Sequence, residues 1–135
     1  MADMNTSPMP QPEIDPVNER YWTELKDGRL FYQQCSCSHR WLPARALCPR
    51  CLGTQWEWKE AAGRGEIYSW VVYHVAYHPA FKDRLPYNVA IVQLEEGPRL
   101  ITNILAPNQQ LSLGARVRLA SNTGKEIPLA QFQLA

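Results

Sequence analysis

Apolar positions follow a helical period near the start of the chain and a strand period after it. Within residues 15–28, Val17, Tyr21 and Leu25 fall four apart, and Trp22 lies three before Leu25. That is the stripe of one amphipathic helix. Asp15 suits its N-cap, Pro16 its first helical position and Gly28 its C-terminal stop. Its aromatic face must dock, either on the rest of the chain or on a partner subunit. Residues 29–34 read as a short strand, and residues 55–60 alternate so that Trp56 and Trp58 share one face. After the small-residue break at 61–65, every apolar stretch is rich in β-branched and aromatic residues. Residues 66–77 form a long, bent strand, with a loop over 78–85. Strands follow at 86–94, 99–105 and 115–120, with a solvated hairpin turn at Glu95-Glu96-Gly97-Pro98 and a loop over 106–114. A turn at Asn122–Lys125 precedes a last strand over 127–134, with Pro128 near its edge. Five strands led by a long one fit a closed OB-fold barrel, with an SH3-like barrel or small sandwich as the alternative.

Between helix and barrel lies the chemistry. All four cysteines sit in Cys35-Ser36-Cys37 and Cys48-Pro49-Arg50-Cys51, two tight pairs separated by ten residues. Paired thiolates joined by a turn are what a tetrahedral zinc requires, or iron in the same cage. The first pair is one residue shorter than the common spacing. Alternate residues of an extended chain point to one face, so an extended first knuckle still brings both sulfurs to one ion. Disulfides within the pairs would close very small, strained rings. Four cysteines close the shell of one structural zinc and leave no open position for catalysis. His39 is the substitute ligand if Cys35 is misplaced.

The 135 residues carry a net charge of +1, which gives no global argument for nucleic acid or a membrane surface. No apolar run approaches the roughly 20 residues of a membrane span. No secretory signal is apparent, and metal-type cysteine spacing predicts a reducing compartment, the cytoplasm. The resulting division is an arm over 1–14, expected to be disordered, a helix over 15–28, a ribbon over 29–62 and a barrel over 63–135.

The ordered set of Tyr21-Trp22, Phe31-Tyr32-Gln33-Gln34-Cys35, Leu42-Pro43-Ala44-Arg45, Cys48-Pro49-Arg50-Cys51, Trp58 and Gly63-Arg64-Gly65 resembles a known family. Phe81, Pro86-Tyr87, Val89-Ala90, Leu94-Glu95-Glu96-Gly97, Leu113-Gly114-Ala115-Arg116-Val117 and Pro128 continue the match, which covers about residues 15–134. The family joins a zinc ribbon to an OB-fold, is catalogued as a domain of unknown function, and accompanies thiolase-like enzymes. The resemblance implies a mainly β fold with an N-terminal helix, a rubredoxin-like zinc ribbon and a five-stranded OB-fold barrel. It also implies a non-catalytic accessory subunit of a thiolase, acyltransferase or retro-aldolase acting on acyl-CoA, whose thiolase-like partner carries the catalytic groups. Two positions depart from the family pattern: Cys35-Ser36-Cys37 is one residue short, and Ser38 replaces a usual glycine.

Arg40, Arg45 and Arg50 make the ribbon locally basic, which offsets the net −2 of a tetrathiolate zinc or serves an acidic partner or a CoA phosphate. The 77–86 connection places Phe81 beside Lys82 and Arg84. Arg45, Phe81, Lys82 and Arg84 are the candidate contacts to CoA or to the partner; the alternative for Phe81 is a fold back onto the barrel mouth. His74 reads as an ordinary barrel residue. The rival function is a single-stranded nucleic-acid module, since OB-folds combine aromatic stacking with a basic groove.

Overall fold

The computed structural model describes residues 11–120 and 129–135. The expected turn at 122–125, Pro128 and most of the arm over 1–14 lie outside the described residues.

The helix α1 spans Glu19–Lys26, shorter than the sequence pattern implies. Asp15 does cap, but it caps a turn ahead of the helix: its Oδ1 accepts the N–H groups of Val17 and Asn18, both at 2.8 Å. The C-terminus closes as anticipated. Gly28, at φ +76°, donates its N–H to the Leu25 carbonyl, and Arg29 donates to that of Glu24. These paired bonds form a Schellman motif, which needs a left-handed residue at that position.

Strands β1 (Phe31–Cys35), β2 (Arg40–Trp41) and β3 (Trp56–Glu60) make the ribbon sheet in the order β2-β1-β3, all antiparallel. Trp56 and Trp58 do share a face, edge-on at 5.9 Å.

The second sheet runs β6-β5-β4-β7-β8, with β4 Arg64–Tyr73, β5 Tyr87–Leu94, β6 Arg99–Thr102, β7 Arg116–Leu119 and β8 Phe132–Leu134. Neighbouring strands are antiparallel. Its two edges meet: Ile104 bridges Phe132 in parallel, Leu105 donates to the Phe132 carbonyl at 2.7 Å, and Phe132 donates to that of Asn103 at 3.1 Å. A five-stranded sheet closed in this way is an OB-fold barrel. The long strand is bent, as its length implies, by a register shift between Ile67 and Ser69. It ends at Tyr73, so the expected strand character of 74–77 is not realised. The connection after it is an ordered 3₁₀ helix, Pro79–Arg84, whose entry is capped by His78 Nδ1 accepting the Ala80 N–H. Gly65 is required by close approach, since a Cβ there would run into the Gln93 backbone of the paired strand.

One apolar core serves both sheets. β5 alternates strictly, burying Ala90, Val92 and Leu94 against Ile67, Val117 and Phe132. Leu25 from the helix, and Leu30 and Tyr32 from the ribbon, join that same cluster. The 95–98 hairpin turn is not simply solvated. Glu96 is partly buried and accepts the Ala62 N–H at 2.8 Å, its carbonyl accepts from Arg40 Nη1 at 3.0 Å, and Glu95 pairs with Arg64 at 3.3 Å. This turn therefore ties the barrel to the ribbon.

Candidate metal centre

β1 delivers Cys35 to its end, and the chain reverses at once. Ser38 donates its N–H to the Cys35 carbonyl at 2.8 Å, and Cys35 donates to that of His39 at 2.9 Å. The short first knuckle is thus a tight turn rather than the extended segment its spacing suggests. The second knuckle is a matching loop, with Leu52 donating to the Cys48 carbonyl and Cys48 to that of Gly53, both at 2.9 Å. Backbone N–H groups also point at sulfur: Arg50 and Cys51 toward Cys48 at 3.4 and 3.5 Å, and Gly53 toward Cys51 at 3.4 Å.

The four sulfurs lie within 4.8 Å of one another. Cys35 to Cys51 is 3.5 Å and Cys37 to Cys48 is 3.7 Å, so the short distances run between knuckles. Zinc–sulfur bonds of ~2.3 Å in a tetrahedron require edges of roughly 3.8 Å. The thiols are free of disulfides, with Cys35 and Cys48 buried and Cys37 and Cys51 exposed. The donor set fits one structural zinc, which Cys35, Cys37, Cys48 and Cys51 could hold. His39 is not among the clustered ligands; it stacks on Trp41 at 5.8 Å.

Electrostatics agree with this reading. The Cys35 thiol is lowered to about 7, chiefly by the Cys37 backbone N–H. Burial opposes charge on Cys48, but N–H donation from Cys51 and Arg50 holds its thiol below the ordinary range. Cys51 accepts the Gly53 N–H, yet the sulfurs of Cys35 and its neighbours push it up to about 12. A dication displaces the protons that the sulfurs share. In the metal-free chain Cys51 keeps its proton below about 12, and Cys35 regains one below about 7. Zinc affinity therefore falls with falling pH, and more steeply below about 7. A chromogenic chelator titrated across pH will show that steepening; a pH-independent affinity contradicts it.

Both knuckles place a non-glycine residue in the left-handed region directly after the second cysteine: Ser38 at φ +77° and Leu52 at φ +61°. The backbone keeps the conformation that glycine favours even though the glycine is absent. Ser38→Gly is expected to stabilise the ribbon by about 1 kcal/mol, the usual cost of a left-handed L-residue. Thermal melting of the zinc-loaded protein measures it; an unchanged or lower midpoint refutes it.

Sequence reasoning missed Gln33. It is fully buried in β1 and clasps the loop between the knuckles, donating to the Arg45 carbonyl and accepting the Arg45 N–H, both at 2.8 Å. Trp56 Nε1 holds the same loop through the Ala46 carbonyl at 2.7 Å. The only sequence signal was a pair of glutamines in a short strand, and it does not say which of the two is buried.

The other candidate residues lie apart from the metal. Arg45 is exposed on the clasped loop, while Phe81, Lys82 and Arg84 sit on the 3₁₀ helix before β5. Phe81 is not an exposed ring between cations: it is half-buried against Tyr87 at 5.4 Å and His78 at 5.9 Å. Tyr87 continues the aromatic cluster to Tyr73, and Tyr73 meets the largely exposed Tyr77 edge-on. Phe81 and Arg84 line a polar cleft of about 280 Å³ with Asn88, Asn103 and Asn108; Arg45 does not reach it. His74 lies past the end of β4 and is exposed. Among the described residues, no helix is long and apolar enough to cross a membrane.

Comparison with known proteins matches the same two parts. Residues 22–57 fit the family described as "ChsH2, rubredoxin-like zinc ribbon domain", and residues 58–122 fit "ChsH2, C-terminal OB-fold domain". A "Probable enoyl-CoA hydratase alpha subunit" of Thermomonospora curvata is 41% identical over 103 residues, which are 74% of this chain. The match spans only about a third (32%) of that relative. A "DUF35 domain-containing scaffold protein" of Methanocaldococcus jannaschii is 34% identical, covering 67% of this chain and 66% of its own length. Among solved structures, a chain of the "Ltp2-ChsH2(DUF35) aldolase" superposes with a TM-score of 0.79 at 35% identity, over 92% of this chain and 98% of that one. A DUF35 protein of Sulfolobus solfataricus, at 18% identity and a TM-score of 0.66, shares the fold. With both of its parts matched in order and a solved relative covered almost end to end, the chain belongs to the DUF35 family of zinc-ribbon and OB-fold proteins.

Proposed function

We propose that this chain is a non-catalytic scaffold subunit of a thiolase-superfamily complex acting on acyl-CoA. The observation that carries the reading is its likeness, over 98% of the matched chain's length, to a chain of the "Ltp2-ChsH2(DUF35) aldolase". Relatives named as scaffold proteins and as an enoyl-CoA hydratase subunit support it. The residues fit the role. Four thiolates committed to a closed metal shell are unavailable as nucleophiles. The zinc fixes the knuckles, Gln33 fixes the loop between them, and the ribbon becomes a rigid platform on the barrel. The catalytic nucleophile and base belong to the partner. Arg45, Phe81, Lys82 and Arg84 are offered to it or to the CoA moiety, with cations suited to phosphate.

Co-expression with each thiolase-superfamily protein of the source genome tests this. A stoichiometric complex by size exclusion with light scattering, and acyl-CoA turnover only in the complex, is the expected result. A chain that stays alone with every candidate, or that turns over acyl-CoA unaided, sinks the reading.

The aromatic cluster of Tyr77, Tyr73, Tyr87 and Phe81 beside Lys82 and Arg84 favours a second reading, single-stranded nucleic acid. Oligonucleotide affinity that falls steeply with salt would support it. The absence of any shift at low salt removes it.

A further inference from the structure

A trough runs between α1, the ribbon loop and the barrel. It encloses about 450 Å³, with Tyr21 and Trp22 on one wall, Leu42 and Pro43 on another, and Ile91 and Ile101 below. It is open along the barrel, because Ile101 lines it while remaining 74% exposed. Strand register extends this apolar floor. Ser69, Ile91 and Ile101 form one row across β4, β5 and β6, and Val71 stands opposite Val89 in the next. Cross-strand partners share a face, so Ile101 and the 53% exposed Val71 belong to one continuous outer surface. Contiguous exposed apolar area of this kind marks an interaction site. An open trough continuing onto the outer face of the barrel does not enclose a small ligand as a pocket does.

Charge selects the occupant. Arg99 is the single charged residue lining the trough, stacked 3.8 Å over the Tyr68 ring and in no ion pair among the described residues. The exposed Arg45 follows Ala44, another wall residue. Among the described residues, no acid lines the trough. A second copy of this chain would meet it across a two-fold axis with the same cations, since such an interface is self-complementary. A partner presenting apolar side chains beside a carboxylate matches it without repulsion.

Resting on the proposed scaffold role, we infer that the α1 trough and the outer face of β4, β5 and β6 are where the catalytic subunit docks, by an apolar segment carrying an acidic residue that meets Arg99. The ribbon then contributes one wall of the dock through Leu42 and Pro43, and the metal acts on assembly by holding that wall.

The test uses the full zinc-loaded chain and the purified catalytic subunit that pairs with it in the co-expression experiment. Ile101→Asp is expected to weaken the complex at least about tenfold, equivalent to ~1.4 kcal/mol. Arg99→Glu is expected to weaken it too and to flatten its salt dependence. Leu113→Asp should bind as the parent does. Leu113 is 71% exposed and lies before β7, which pairs with the edge of β4 opposite β5. Because Ile101 is exposed, its variant must keep the parent's zinc content and melting temperature. If the parent binds and Ile101→Asp and Arg99→Glu bind equally well, the dock is elsewhere and the scaffold role survives. A free chain that dimerises until Ile101→Asp makes it monomeric gives the face to a second copy and overturns the inference. If the parent binds no candidate, the scaffold role and the inference fall together.

Discussion

Cys48→Ser will strip the chain of its zinc and dismantle the ribbon. Cys48 is fully buried, its sulfur accepts two backbone N–H groups, and it lies 3.7 Å from the Cys37 sulfur. Serine offers a poor ligand and a shorter reach, leaving three cysteines too few to close the shell around the ion. Around the knuckles, away from Leu30 and Tyr32 at the barrel core, the ribbon has little else to hold it. Its own buried cluster is Cys35, Trp41 and Cys48, with Trp56 packed alongside, so two of the three buried members are ligands. Structural zinc contributes on the order of 10–16 kcal/mol to small metal-folded units, and most of that is forfeited. The zinc-to-protein ratio should fall from one to near zero, and the near-ultraviolet signal of Trp41 and Trp56 should collapse. A variant that retains a full equivalent of zinc would refute the assignment. His39→Ala should keep its metal, because His39 stacks on Trp41 and stands outside the cluster.

The second large effect is expected at the barrel seam. Phe132 is fully buried, and its backbone exchanges hydrogen bonds with Leu105 and Asn103 where β8 meets the extension of β6. Phe132→Ala leaves the backbone bonds in place but removes the ring that fills the closure. Burial loss and the residual cavity cost about 3–5 kcal/mol. For a chain of this size the melting temperature should drop on the order of 10–20 °C. Zinc content distinguishes this variant from the first: it should stay near one equivalent while the barrel loosens. A shift of only a degree or two would mean that closure does not depend on this side chain.

Much of this architecture was legible because it rests on local pattern. The strict alternation of β5, the cysteine pairs and the glycine after α1 each announce themselves within a few residues. What escaped depends on partners distant in sequence. Gln33 and Gln34 are adjacent and chemically identical, yet only Gln33 is fully buried, because its amide meets a backbone segment twelve residues away. Asn88 is likewise a polar residue inside a strand. It is buried because Ile104, just past the neighbouring strand β6, and Asn108 beyond it satisfy its amide at 2.7–3.0 Å. Glu96 looked like a solvated turn residue for the same reason: Ala62, its partner, lies 34 positions earlier. The helix was misjudged at its start because an aspartate caps a single turn with the same bonds it uses to cap a helix. The first knuckle read as extended because spacing alone does not reveal a turn that Ser38 accommodates at positive φ.

The Glu96 tie between barrel and ribbon has a physiological consequence. Ala62 and Arg40 both bind this one residue, and the apolar cluster of the barrel takes in Leu30 and Tyr32 of the ribbon sheet. Ribbon and barrel therefore unfold together, and the ion's binding energy reaches strands that never touch it. Metal supply then sets how much of this chain survives cellular quality control, because a zinc-starved copy is weakened throughout rather than merely missing a finger.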